Sequence, residues 1–148
     1  MIVYNVLKRV ETMAVNDKIS KALKSAINHL KDSISTLKNK DENSFADAVW
    51  HVAAELEYAL FLFSVTLQNE KDKSGWRINP KRKKYEVGQT LVTVQNLLNE
   101  AEKHMESKKL LDAYKKTYIA RHHILKVQED LAKKKREALK KKAGKAKK

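Results

Sequence analysis

Across 148 residues the chain has three glycines, Gly75, Gly88 and Gly144, and one proline, Pro80. Sheet proteins need frequent tight turns, and tight turns draw on Gly and Pro for backbone angles that other residues resist. A chain this poor in both cannot build many, so the sequence predicts an all-α protein.

The apolar spacing predicts where the helices lie. Ile19, Leu23, Ala26, Ile27, Leu30, Ile34 and Leu37 follow steps of three and four, a single helical stripe with Asn16 or Asp17 as its N-cap. Val3, Val6, Leu7, Val10 and Ala14 form a shorter stripe out of phase with it, which predicts a separate helix over 2–14. The polar run 39–43 reads as a turn. Ser44 then caps a second helix, with Asp47 placed to reach back to the cap. Its inward positions are Phe45, Val49, Val52, Ala53, Leu56, Ala59, Leu60, Phe63 and Leu67. The stretch from Tyr58 to Val65 is apolar nearly all round, so this helix should be the most buried.

Pro80 bars helix at Asn79, so a third helix is expected from about Lys83 to Met105, with Tyr85, Leu91, Val94, Leu98, Ala101 and Met105 inward. Ser107 is the expected cap of a fourth helix. Leu110, Leu111, Tyr114, Tyr118, Ile124, Leu125, Val127 and Leu131 face its core, and it passes into a lysine tail. Short turns make antiparallel neighbours of the helices they join. The predicted architecture is an up-and-down bundle of four main helices, with a short extra N-terminal helix and a basic C-terminal tail. Residues 1–132 form the bundle domain and 133–148 the tail, helical or disordered.

Composition excludes several chemistries. With no cysteine there is no disulfide framework, thiolate zinc site or cysteine nucleophile. No apolar run approaches the roughly 20 residues of a membrane span, and the N-terminus lacks a secretory leader pattern, so a cytoplasmic protein is expected. Di-iron bundles need paired Glu-x-x-His motifs, and no Glu here precedes a His by three. His51 and Glu55 share a helix face but make at most one pair, read as a surface hydrogen bond. His122 and His123 are adjacent and point about 100° apart on a helix. Arg121-His122-His123 lacks the spacing of an acid–base pair, and no Gly-rich phosphate loop exists. The expectation is a protein with no catalytic residues, no metal and no cofactor.

The net charge of +14 is unevenly carried. Residues 1–70 have a net of −1 and residues 85–132 are balanced, whereas 71–84 carry +6 and 133–148 carry +9. Charge concentrated on two short segments points to a polyanion. In the first segment Trp76, Arg77, Lys81, Arg82, Lys83 and Lys84 combine phosphate-binding cations with an aromatic face that can stack a base. In the second, Lys133, Lys134, Lys135, Arg136, Lys140, Lys141, Lys142, Lys145, Lys147 and Lys148 cannot bury a core and are free to meet phosphates. An up-down-up-down order would bring both segments to one pole. The expected function is non-catalytic nucleic-acid binding, with RNA favoured over DNA and no membrane role. The alternative is a protein-interaction adaptor or homodimer using Trp50, Phe61 and Leu62, its tail merely solubilising.

Overall fold

The computed structural model describes residues 2–67 and 86–146, with side chains over 14–67 and 86–144. Among the described residues the chain is all-α: α1 (Ile2–Lys38), α2 (Glu42–Thr66), α3 (Val87–Glu106) and α4 (Leu110–Ala146). The predicted break near Asn16 is absent, and α1 is one helix of 37 residues. No glycine or proline interrupts it. Asp17, proposed as a cap, instead points its carboxylate at Lys21 one turn on, at 3.3 Å.

Two turns of the same design make the helical hairpins. At the end of α1, Lys40 adopts a left-handed conformation with φ 56°, and its N–H donates to Leu37 O while the Asp41 N–H donates to Thr36 O. At the end of α3, Lys108 has φ 59°, with the Lys108 N–H donating to Met105 O and the Lys109 N–H to His104 O. This paired pattern satisfies carbonyls that a helix end leaves orphaned, and glycine normally holds the left-handed position. Lysine in that position gives a sequence reader no signal. The cap assignments shift accordingly. Asp41, not Ser44, caps α2, its Oδ1 accepting from the Ser44 N–H at 3.2 Å. The Ser44 hydrogen bonds, side chain first and then backbone, hold the Asp41 carboxyl below its ordinary range. Ser107, expected to open α4, closes α3, its N–H donating to Lys103 O. α3 starts at Val87 after an extended Glu86 rather than at Lys83, and Lys83–Tyr85 lie outside the described residues.

The helices pack in the ring order α1, α2, α4, α3, so α1 stands diagonal to α4 and α2 to α3. Their directions follow from contacts. On Gly88, at the start of α3, the position a Cβ would take is 3.9 Å from Leu37 Cδ2, at the end of α1. Phe63, late in α2, meets Tyr114, early in α4, with ring centroids 5.8 Å apart. Every neighbouring pair is therefore antiparallel, as expected of short turns. The up-down-up-down order is not observed: α2 and α3 run the same way. Leu67 leaves α2 at the lower pole, beside the α3–α4 turn. Glu86 enters α3 at the upper pole, beside the α1–α2 turn. The described ends of the connection, Leu67 and Glu86, therefore lie at opposite poles, as in helical bundles with one long crossover.

The core is built from the predicted stripes. Ile19, Leu23, Leu30, Val49, Val52, Leu56, Phe63, Leu91, Val94, Leu98, Ile124 and Val127 are fully buried. α4 contributes smaller residues than its sequence suggests. Ala113, Thr117 and Ala120 are fully buried, whereas Tyr114 and Leu125 are half-buried. Thr117 enters the core because its hydroxyl donates to Ala113 O at 2.8 Å, leaving only its methyl to pack. α2 is long and apolar enough in composition to cross a bilayer, but half of its most apolar window is buried inside the bundle. Leu62, expected on the surface, is buried at 8% exposure.

Candidate nucleic-acid interface

The α4 helix outlasts its partners. Leu131 is its last residue packed against the core, and every residue from Ala132 to Gly144 is exposed. At 1.5 Å per residue, the exposed part from Ala132 to Ala146 is about 22 Å long. Residues 133–148 contain ten basic side chains and one acidic, so mutual repulsion opposes this helix. Three local features favour it. Ala132, Ala138, Leu139, the lysines, Arg136 and Glu137 are strong helix formers, with Gly144 the single weak one. Cations in the last turns complement the negative end of the helix dipole. Asp130 also accepts Lys134 one turn on, at 3.4 Å.

Lys133, Lys134, Lys135, Arg136, Lys140, Lys141 and Lys142 are thus displayed on a single helix free of neighbours. Lys145 lies within it, its side chain outside the described residues, as are Lys147 and Lys148. The second predicted group, Trp76, Arg77, Lys81, Arg82, Lys83 and Lys84, lies outside the described residues entirely. Its expected meeting with the tail rested on both ends of the connection sharing one pole, and that premise is corrected. Only the Glu86 end stands at the pole from which α4 projects. That pole is of mixed charge: the α1–α2 turn adds Lys38 and Lys40 along with Asp41 and Glu42. Sequence reasoning missed these lysines, since only the helix directions place them there. The concentrated charge begins beyond Leu131.

Elsewhere the titratable groups are spent on packing. The His51 ring stacks on His29 of α1, centroids 4.8 Å apart and 19° from parallel, in place of the expected pairing with Glu55. Trp50 meets His51 edge-on at 5.3 Å. Arg121 is bridged to Glu57 of α2, and Lys116 to Glu100 of α3 at 2.9 Å. The Lys116 contact holds the Glu100 carboxyl below its ordinary range. Burial, seconded by His122 and Lys126, pushes His123 below its usual value. No three His, Asp or Glu side chains converge as a metal site among the described residues. On the outer face of α2, Trp50, Tyr58, Phe61 and Val65 are exposed, Trp50 and Phe61 by 61% and 63%.

The fold and its projecting helix define a class: a neutral antiparallel helical bundle bearing one cationic helical arm. No protein-family model, curated protein or solved structure matches the chain.

Proposed function

We propose that the protein is a non-catalytic nucleic-acid-binding protein of the cytoplasm, holding phosphates electrostatically through the α4 arm. The observation that carries this is the uncovered run Ala132–Gly144, a helix with seven basic side chains and no packing role. Phosphate contact by Lys and Arg releases condensed counterions, so affinity is expected to fall steeply with salt. The basic residues Arg77 and Lys81–Lys84 are proposed as a second contact. The expected preference for RNA rests on Trp76 as a base-stacking platform. The test is binding of the full chain and of a chain ending at Ala132 to RNA and duplex DNA across a salt series. Unchanged affinity after truncation would overturn the proposal.

A second reading has its own observation. Trp50, Tyr58, Phe61 and Val65 lie on one face of α2 and are too large and too exposed to serve the core. They suit an adaptor or homodimer in which this face meets another chain. Sedimentation without nucleic acid tests it: self-association removed by Phe61→Ser favours the second reading, and a monomer at all concentrations rejects the homodimer.

A further inference from the structure

The basic residues of the α4 arm are sorted by face. With 3.6 residues per turn, Ala132, Leu139 and Ala143 fall within about 20° of one line along the helix. That line is an uncharged strip along the arm, and Glu137 and Gly144 form a shorter non-basic line behind it. Lys135 and Lys142 flank it on one side, and Arg136, Lys140 and Lys133 on the other, all within about 100°. Lys134, Lys141 and, by helical position, Lys145 lie on the opposite side, with Glu137 among them. The back carries the arm's acid, and Lys134 there is already held by Asp130 at 3.4 Å. The flanks have no such partner among the described residues.

A helix with side chains is about 10–12 Å across. The B-form major groove, about 12 Å wide and 8.5 Å deep, admits one, and its two walls are lined by phosphates. The A-form major groove is deep and too narrow for side chains to read. A strip of two alanines and one leucine with cations on both flanks matches a groove with an uncharged floor and two charged walls. A flat or single-stranded polyanion would give no reason for the sorting.

We infer that the α4 arm lies in the major groove of B-form DNA, the Ala132–Leu139–Ala143 strip toward the base edges and the two flanks toward opposite phosphate strands. Resting on the proposed function, this assignment replaces its RNA preference with duplex DNA. Leu139 at the floor would meet thymine methyl groups, the apolar feature of that groove.

The experiment uses the full chain with a mixed-sequence DNA duplex and the RNA duplex of the same sequence. It reads affinity over a salt series and protection of guanine N7, a major-groove atom, from methylation. The expected results are binding to DNA at least tenfold tighter than to RNA, and N7 protection. Lys135→Gln with Lys142→Gln should lower the salt slope by about 2, at roughly 0.9 per contact, and Lys134→Gln with Lys141→Gln should leave it nearly unchanged. Binding without N7 protection, equal affinity for the two duplexes, or equal slopes for the two double variants overturns the groove assignment and leaves nucleic-acid binding standing. Failure to bind either duplex overturns the groove assignment, and failure to bind single-stranded RNA as well overturns both.

Discussion

The two left-handed lysines allow a prediction whose sign depends on the backbone. Lys40 and Lys108 hold φ 56° and 59° with no side-chain reason to do so. An L-residue in this region is disfavoured by roughly 1–2 kcal/mol, and glycine loses about 0.5–1 kcal/mol more chain freedom than alanine on folding. Lys40→Gly should therefore be more stable than Lys40→Ala by about 0.5–1 kcal/mol. Comparing Gly with Ala cancels the loss of the lysine charge, which both share. At Lys31, exposed in the middle of α1, the order must reverse, with Ala better than Gly by about 1 kcal/mol. The same pair at Lys108 should repeat the Lys40 result. The two sites lie at opposite poles, so a Lys40→Gly, Lys108→Gly protein should show additive changes. Urea unfolding followed by circular dichroism measures each, and an unchanged dependence on urea would confirm that only stability moved. Alanine as good as glycine at position 40 would refute the turn geometry.

Other consequences are smaller in scope. Leu98→Ala, in the fully buried centre of α3, should cost about 2–5 kcal/mol in urea unfolding, while Val92→Ala, at 47% exposure, should cost under about 1. Equal costs would reject the assigned core face of α3. His123 is depressed below its ordinary value of 6.5 by burial, so the unfolded chain takes up its proton first as pH falls. Its contribution to stability is therefore full above about pH 6.5 and is lost as pH drops through the lower folded value. His123→Gln should flatten that part of the pH–stability curve, as thermal unfolding at stepped pH would show. Asp41→Ala should lower stability in urea unfolding through the lost cap of α2, while Ser44→Ala, whose backbone N–H remains the donor, should lower it less.

What the sequence made legible followed from spacing. The stripe from Ile19 to Leu37, and that from Leu91 to Ala101, hold at 3.6 residues per turn, and the structure buries the same residues except Ile34 and Leu37, which are half-buried. Polar signals were weaker guides. Asn16 and Asp17 resemble a cap, but a helix with no Gly or Pro on either side has no reason to stop there. Both turns lie where the sequence places them, but the caps differ, Asp41 rather than Ser44 opening α2 and Ser107 closing α3 rather than opening α4. Lysine holds the left-handed position where glycine would have marked the turn. The crossover was not legible, since nothing in helix spacing records which diagonal two helices share. Gly88 against Leu37 decides it. For the interface, the charge was visible from composition and its support was not. The arm is presented because α4 is 37 residues long and α3 beside it only 20.

The most direct measurement of the central claim is the salt dependence of nucleic-acid binding by the full chain and by the chain ending at Ala132. With the five flank cations Lys133, Lys135, Arg136, Lys140 and Lys142 each releasing about 0.9 counterion, the arm should contribute about −4.5 to the log–log slope of the full chain. The truncated chain should lose that share and keep only what Arg77 and Lys81–Lys84 supply. A truncated chain that keeps the slope and affinity of the full one would contradict a phosphate-binding arm.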